Sequence, residues 1–109
     1  MYIDDGVEDM PMAGSGAERG KRRKAEAYYN SGLARVKKGA YDGAIADFTR
    51  AIELFEAAGD DENAAKAYNN RGLAWAGKRD YDRAISDWEE ALRRNPGLPR
   101  IRLVLADAY

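Results

Sequence analysis

The chain has 109 residues, 45% of them hydrophobic and 34% charged, with a net charge of −1 and a pI near 5.5, a composition that suits one small soluble helical domain or a short repeat array with a tail. Cysteine and histidine are both absent, which excludes disulfides, thiolate nucleophiles, zinc sites of the usual ligands and imidazole acid/base chemistry. The charge balance lacks the basic footprint on which nucleic-acid affinity depends, and no apolar run of about 18 residues is present to cross a membrane, so the expected partner is protein surface.

Residues 1–24 show no helical or strand period, and Met12-Ala13-Gly14-Ser15-Gly16 is linker-like. The segment is expected to be a disordered tail. Its front carries Asp4, Asp5, Glu8 and Asp9, where a signal peptide would need positive charge and then an apolar stretch. The expected location is therefore cytoplasmic. Its back is the run Lys21-Arg22-Arg23-Lys24, which reads first as a solvated lead-in. An acidic partner or a nuclear import signal are the alternatives. Positive charge at a helix N-terminus works mildly against the macrodipole, so helix stability does not account for it.

From Ala25 the chain repeats itself. Ala25 to Ala34 aligns with Ala65 to Ala74, and the same offset of 40 carries Tyr41, Asp42, Ala44, Ile45, Asp47 and Phe48 onto Tyr81, Asp82, Ala84, Ile85, Asp87 and Trp88. A repeat at this period points to stacked helical pairs. The amphipathic stripes predict helices near 25–38, 41–58, 61–77, 81–94 and 99–108. Asp80 stands as an N-cap and Asp60 or Asp61 opens the third helix, whereas Ala40 offers no side-chain acceptor. That helix start should be weaker by about 1 kcal/mol. Gly39 is placed as a C′ glycine.

These residues carry a family resemblance. The unit resembles a tetratricopeptide repeat, W-x2-L-G-x2-Y…A-x3-F…P, over residues 25–109. Gly32 and Gly72 match the glycine, Ala44 with Phe48 and Ala84 with Trp88 match the small/aromatic pair, and Pro96 matches the closing proline. Tyr28 and Tyr68 replace the tryptophan; Ser31 and Arg71 replace the leucine. The implied fold is all-α, an antiparallel helix-pair solenoid of two full repeats plus a terminal helix: 25–64, with an extended junction, 65–98, and 99–109 as the first helix of a partial third repeat or a cap. A glycine inside a helix costs about 1 kcal/mol relative to alanine, so Gly32 and Gly72 require close approach of the partner helix at Ala44 and Ala84. Tyr28, Tyr41, Tyr68, Trp75, Tyr81 and Trp88 all fall at framework positions, which predicts core packing. Asp47 and Asp87, like Asp42 and Asp82, recur on second helices and are expected on a solvated outer face. No cofactor and no catalysis are expected.

The resemblance implies a non-catalytic scaffold or adaptor that holds a protein or peptide in the groove lined by first helices. Its candidate residues are Tyr29, Asn30, Leu33, Lys37, Lys66, Asn69, Asn70, Leu73, Arg100 and Leu103, with Glu26, Val36, Gly77, Val104 and Asp107 beside them. Asn30 and Asn70 can each bond a peptide backbone or a group of their own array. Relatives that clamp chaperone C-termini use Lys, Arg and Asn over three units; here only Asn70, Lys66 and Arg100 answer to that pattern. Two other classes remain open: a module that forms a homodimer through its last helix, by Ile101, Leu103, Val104, Leu105 and Tyr109, and an interaction domain of a longer protein.

Overall fold

A computed structural model describes residues 16–98, with side chains from Arg19 onward. Four helices follow one another: α1 (Gly16–Lys37), α2 (Tyr41–Ala57), α3 (Asp61–Gly77) and α4 (Tyr81–Arg94). Each packs on the next, α1 on α2, α2 on α3 and α3 on α4, as short connections between helices require. There is no strand among the described residues. The expected fifth helix, at 99–108, lies outside them.

The three connections close in the same way. Gly39, Gly59 and Arg79 take positive φ of 76°, 71° and 66°, and the next amide returns to a carbonyl five residues back: Ala40 to Arg35, Asp60 to Phe55, Asp80 to Trp75. This left-handed stop satisfies carbonyls that the helix end would leave bare. Arg79 holds by tertiary constraint a conformation that glycine reaches freely. Restart is capped twice, where Asp60 accepts from the amide of Asn63 at 3.1 Å and Asp80 from that of Arg83 at 3.3 Å. Ala40 caps α2 with no side-chain hydrogen bond.

One boundary differs from the expectation. Residues 16–24, assigned to the tail, are the first turns of α1. The stretch has no apolar stripe because its residues from Lys21 to Lys24 are exposed, and periodicity reports burial of one face, not helicity itself. Arg and Lys are good helix formers without any packing. The basic run thus sits beyond the first turn of α1, where the dipole effect has faded.

The core is built from small residues against aromatics. Ala44, Phe48, Ala51, Ala64, Ala65, Ala67, Ala74, Ala84 and Ala91 are wholly buried. A Cβ placed on Gly32 would lie 2.7 Å from the Phe48 ring, and one on Gly72 would lie 2.6 Å from Trp88 Nε1 and 3.1 Å from the Ala84 carbonyl oxygen. Close approach is therefore real, and its agent is the aromatic of the second helix more than the alanine. Tyr41 reaches across to the next unit, where it lies against Gly77.

Tyr81 departs from the framework expectation, for it is 54% exposed. Its counterpart Tyr41 is covered because a following first helix brings Gly77 to it; for Tyr81 the corresponding positions lie beyond the described residues.

Candidate binding groove

α1 and α3 are the first helices of successive units, and their candidate residues repeat at the offset of 40: Tyr29 with Asn69, Asn30 with Asn70, Leu33 with Leu73. The two helices meet at one polar contact. Asn70 Nδ2 donates to the Tyr29 hydroxyl at 2.8 Å and to the Lys66 carbonyl at 2.9 Å. The Tyr29 ring stands edge-on to Phe48, 5.8 Å between centroids. Burial pushes the Tyr29 hydroxyl above its usual pKa, and the bond from Asn70 works against that rise. Asn70 thus bonds within the array through its amide nitrogen. Its partner by repeat, Asn30, is exposed, and its side chain makes no hydrogen bond among the described residues.

The remaining candidates divide by burial. Leu33 and Val36 pack against Ala44, Phe48 and Ala74. Asn69 is half-buried, and its carbonyl receives Trp88 Nε1 at 3.2 Å. Lys37 and Lys66 are exposed, and Leu73 is 43% exposed. Gly77 has Tyr41 lying against it, so it serves unit-to-unit packing. Arg100 and Leu103, and the self-association residues Ile101, Val104, Leu105 and Tyr109, fall outside the described residues.

Because the Asn70 amide ties α1 to α3, its loss is first a stability effect. Asn70→Ala should lower the unfolding free energy by about 1 kcal/mol and, by removing the bond that opposes the effect of burial, move the Tyr29 titration further above that of free tyrosine. Urea melts and ultraviolet titration measure the two; an unchanged Tyr29 titration would remove Asn70 as its partner.

The acidic residues do not all face solvent. Asp42 and Asp82 are exposed, as expected, but Asp87 is 5% exposed and Asp47 is half-buried. Asp87 accepts two bonds from Arg71, Nε at 2.8 Å and Nη2 at 2.8 Å, while Arg71 Nη1 donates to Thr49 at 3.1 Å. In the first unit, Ser31 donates to Asp47 at 2.6 Å and Arg35 pairs with it at 3.0 Å. A signal for these clusters was present in the sequence: Ser31 and Arg71 stand where the repeat pattern has leucine, each followed 16 residues on by an aspartate. A polar residue at a packing position demands a polar partner.

A helix-pair array with glycine facing aromatic in each unit agrees with what comparison finds: the tetratricopeptide repeat model matches residues 25–56 and 65–98. The chain belongs to the tetratricopeptide repeat family. Comparison with curated proteins gave no match. Tetratricopeptide repeats generally mediate protein–protein interactions and are typically non-catalytic scaffolds. Among the described residues no helix is long and apolar enough to cross a membrane, and no group of three or more acidic side chains is gathered to hold a metal ion.

Proposed function

We propose that this tetratricopeptide repeat chain is an adaptor that holds an extended or helical segment of another protein along the α1–α3 face. The observation that carries the reading is the division of that face. Tyr29, Leu33 and Asn70 are engaged within the array, while Asn30, Lys37, Lys66 and Leu73 remain outward on the same two helices. An amide that donates and accepts, two cations and an apolar wall suit a peptide backbone with an acidic flank. Asn30, not Asn70, is the residue placed to bond that backbone.

The whole chain should be presented to an array of immobilised random-sequence peptides, and a selected peptide then titrated by fluorescence anisotropy. Asn30→Ala and Leu73→Glu should each weaken binding by about 1–2 kcal/mol, roughly 5- to 30-fold, with far-UV circular dichroism unchanged. Binding that ignores both substitutions would place the site on another face and end this reading.

A further inference from the structure

The two units are equivalent in sequence but not in surroundings. In the second, the end face formed by Ala64, Ala67 and Tyr68 of α3 is covered by α2, whose Ile52 and Phe55 pack in one cluster with both alanines and leave neither exposed. A carboxylate completes the contact. Glu56 of α2 accepts from the Tyr68 hydroxyl at 3.0 Å and pairs at 2.7 Å with Arg94, whose guanidinium lies 5.3 Å from the centre of the Tyr68 ring. The seat takes a helix with two apolar residues three apart and an acid beside the second.

Forty residues earlier the same face is Lys24, Ala27, Tyr28 and Ser31 of α1, with Asp47 and Arg50 of α2, and these six line a cavity of about 450 Å³. No described residue covers it: Ala27 is exposed where Ala67 is buried. A cation again lies by the tyrosine. The Arg50 guanidinium is 5.6 Å from the centre of the Tyr28 ring, and its ion pair is with the exposed Glu53 of its own helix. Asp47 is already held by Ser31 at 2.6 Å and Arg35 at 3.0 Å.

Charge distinguishes the open seat from the covered one. Lys24 stands where Ala64 stands and makes no ion pair among the described residues. Lys21, on the same stripe of α1 one turn earlier, is exposed as well. The short connection after Ala57 sets the last turn of α2 beside the first turns of α3, so a helix seated on α1 in the same sense ends beside Lys21 and Lys24. Those cations meet the partial negative charge of its C-terminus.

A second copy of the chain does not fit. Its covering helix by repeat is α4, where Leu92, Asn95 and Pro96 replace Ile52, Phe55 and Glu56, so that both the aromatic and the acid are missing. Its Tyr81 would also meet Lys37, which stands in the place of Gly77. At Gly77 even a Cβ would lie 2.5 Å from the Tyr41 ring.

We propose that the α1 end face docks an acidic amphipathic helix of another protein, antiparallel to α1, with apolar residues at i and i+3 over Ala27 and Tyr28 and carboxylates toward Arg50, the Tyr28 hydroxyl and Lys24. Because these charges are largely exposed, the attraction weakens with salt. The inference is independent of the groove, which uses other residues of α1.

The probe is a helix-locked peptide with the sequence of residues 41–57, the helix that fills the covered seat, whose acids Asp42, Asp47, Glu53 and Glu56 outweigh Arg50. Titrated into the whole ¹⁵N-labelled chain, it should displace the amide resonances of Ala27, Tyr28, Ser31 and Arg50 and leave those of Lys66 and Leu73 in the groove in place. Binding should weaken about tenfold with Lys24→Gln and Arg50→Gln in the chain, or with Phe55→Ala and Glu56→Gln in the peptide, while the far-UV circular dichroism of the chain stays unchanged. A peptide that displaces nothing at millimolar concentration would overturn the proposal, as would an affinity indifferent to Lys24→Gln and Arg50→Gln. Displacement confined to the groove refutes it too, and displacement centred on Ala64 and Ala67 would mean that the peptide merely replaces α2. Shifts at Ala27 and Tyr28 that grow with chain concentration in the absence of peptide would give the face to a second copy instead.

Discussion

Replacing Phe48 by Ala should cost about 3–5 kcal/mol of folding free energy, and it should reverse the sign of a second substitution, Gly32→Ala. Phe48 is the largest side chain that is fully buried among the described residues. Its ring fills the space a Cβ on Gly32 would need, with contacts of 2.7, 2.8 and 2.9 Å from three ring carbons. It has nowhere to move, since Tyr29 stands against it and Ala44 and Ala74 close the cluster. Alone, Gly32→Ala should therefore destabilise by about 1–3 kcal/mol through overpacking, despite a helix preference of about 1 kcal/mol for alanine. In the Phe48→Ala background the clash is gone, and the same change should stabilise by about 1 kcal/mol. Urea melts of the four proteins in this cycle measure the coupling. Additive effects would mean that helix and ring are not in forced contact.

Arg71→Met should cost about 2–4 kcal/mol, because it removes both hydrogen bonds from a carboxylate that is 5% exposed and leaves a buried charge without its partner. The same change also releases Thr49 of the preceding unit and the contact of the guanidinium with the Tyr68 ring, 5.2 Å from its centre. The loss is one of pairing and not of volume, so Arg71→Met together with Asp87→Leu should regain most of it. Thermal melts decide the matter: a double variant no more stable than Arg71→Met would show that packing against Tyr68 and Thr49, and not the unpaired Asp87, sets the cost.

The sequence by itself determined the elements and their pairing. The offset of 40, the cap at Asp80 and at Asp60 or Asp61, the uncapped start at Ala40 and the close helix approach at Gly32 and Gly72 are all local or repeated features, and a repeated pattern of apolar spacing fixes which helix faces must meet. That the Phe48 and Trp88 rings, more than Ala44 and Ala84, fill the space at those glycines came from the structure. Tertiary structure decided the fate of residues that the repeat makes equivalent. Tyr41 is covered and Tyr81 is exposed; Ala67 is buried and Ala27 lines an open cavity; Asn70 is bonded and Asn30 is not. Asp47 and Asp87 looked like surface charges because their partners, Ser31 and Arg71, lie a full helix away in sequence. The first turns of α1 carry no hydrophobic period because Lys21 to Lys24 bury no apolar face, and burial is what such a period records. In an array each unit contacts only its neighbours, so a sequence pattern specifies the unit, while the exposure of its two end faces depends on what stands before and after it.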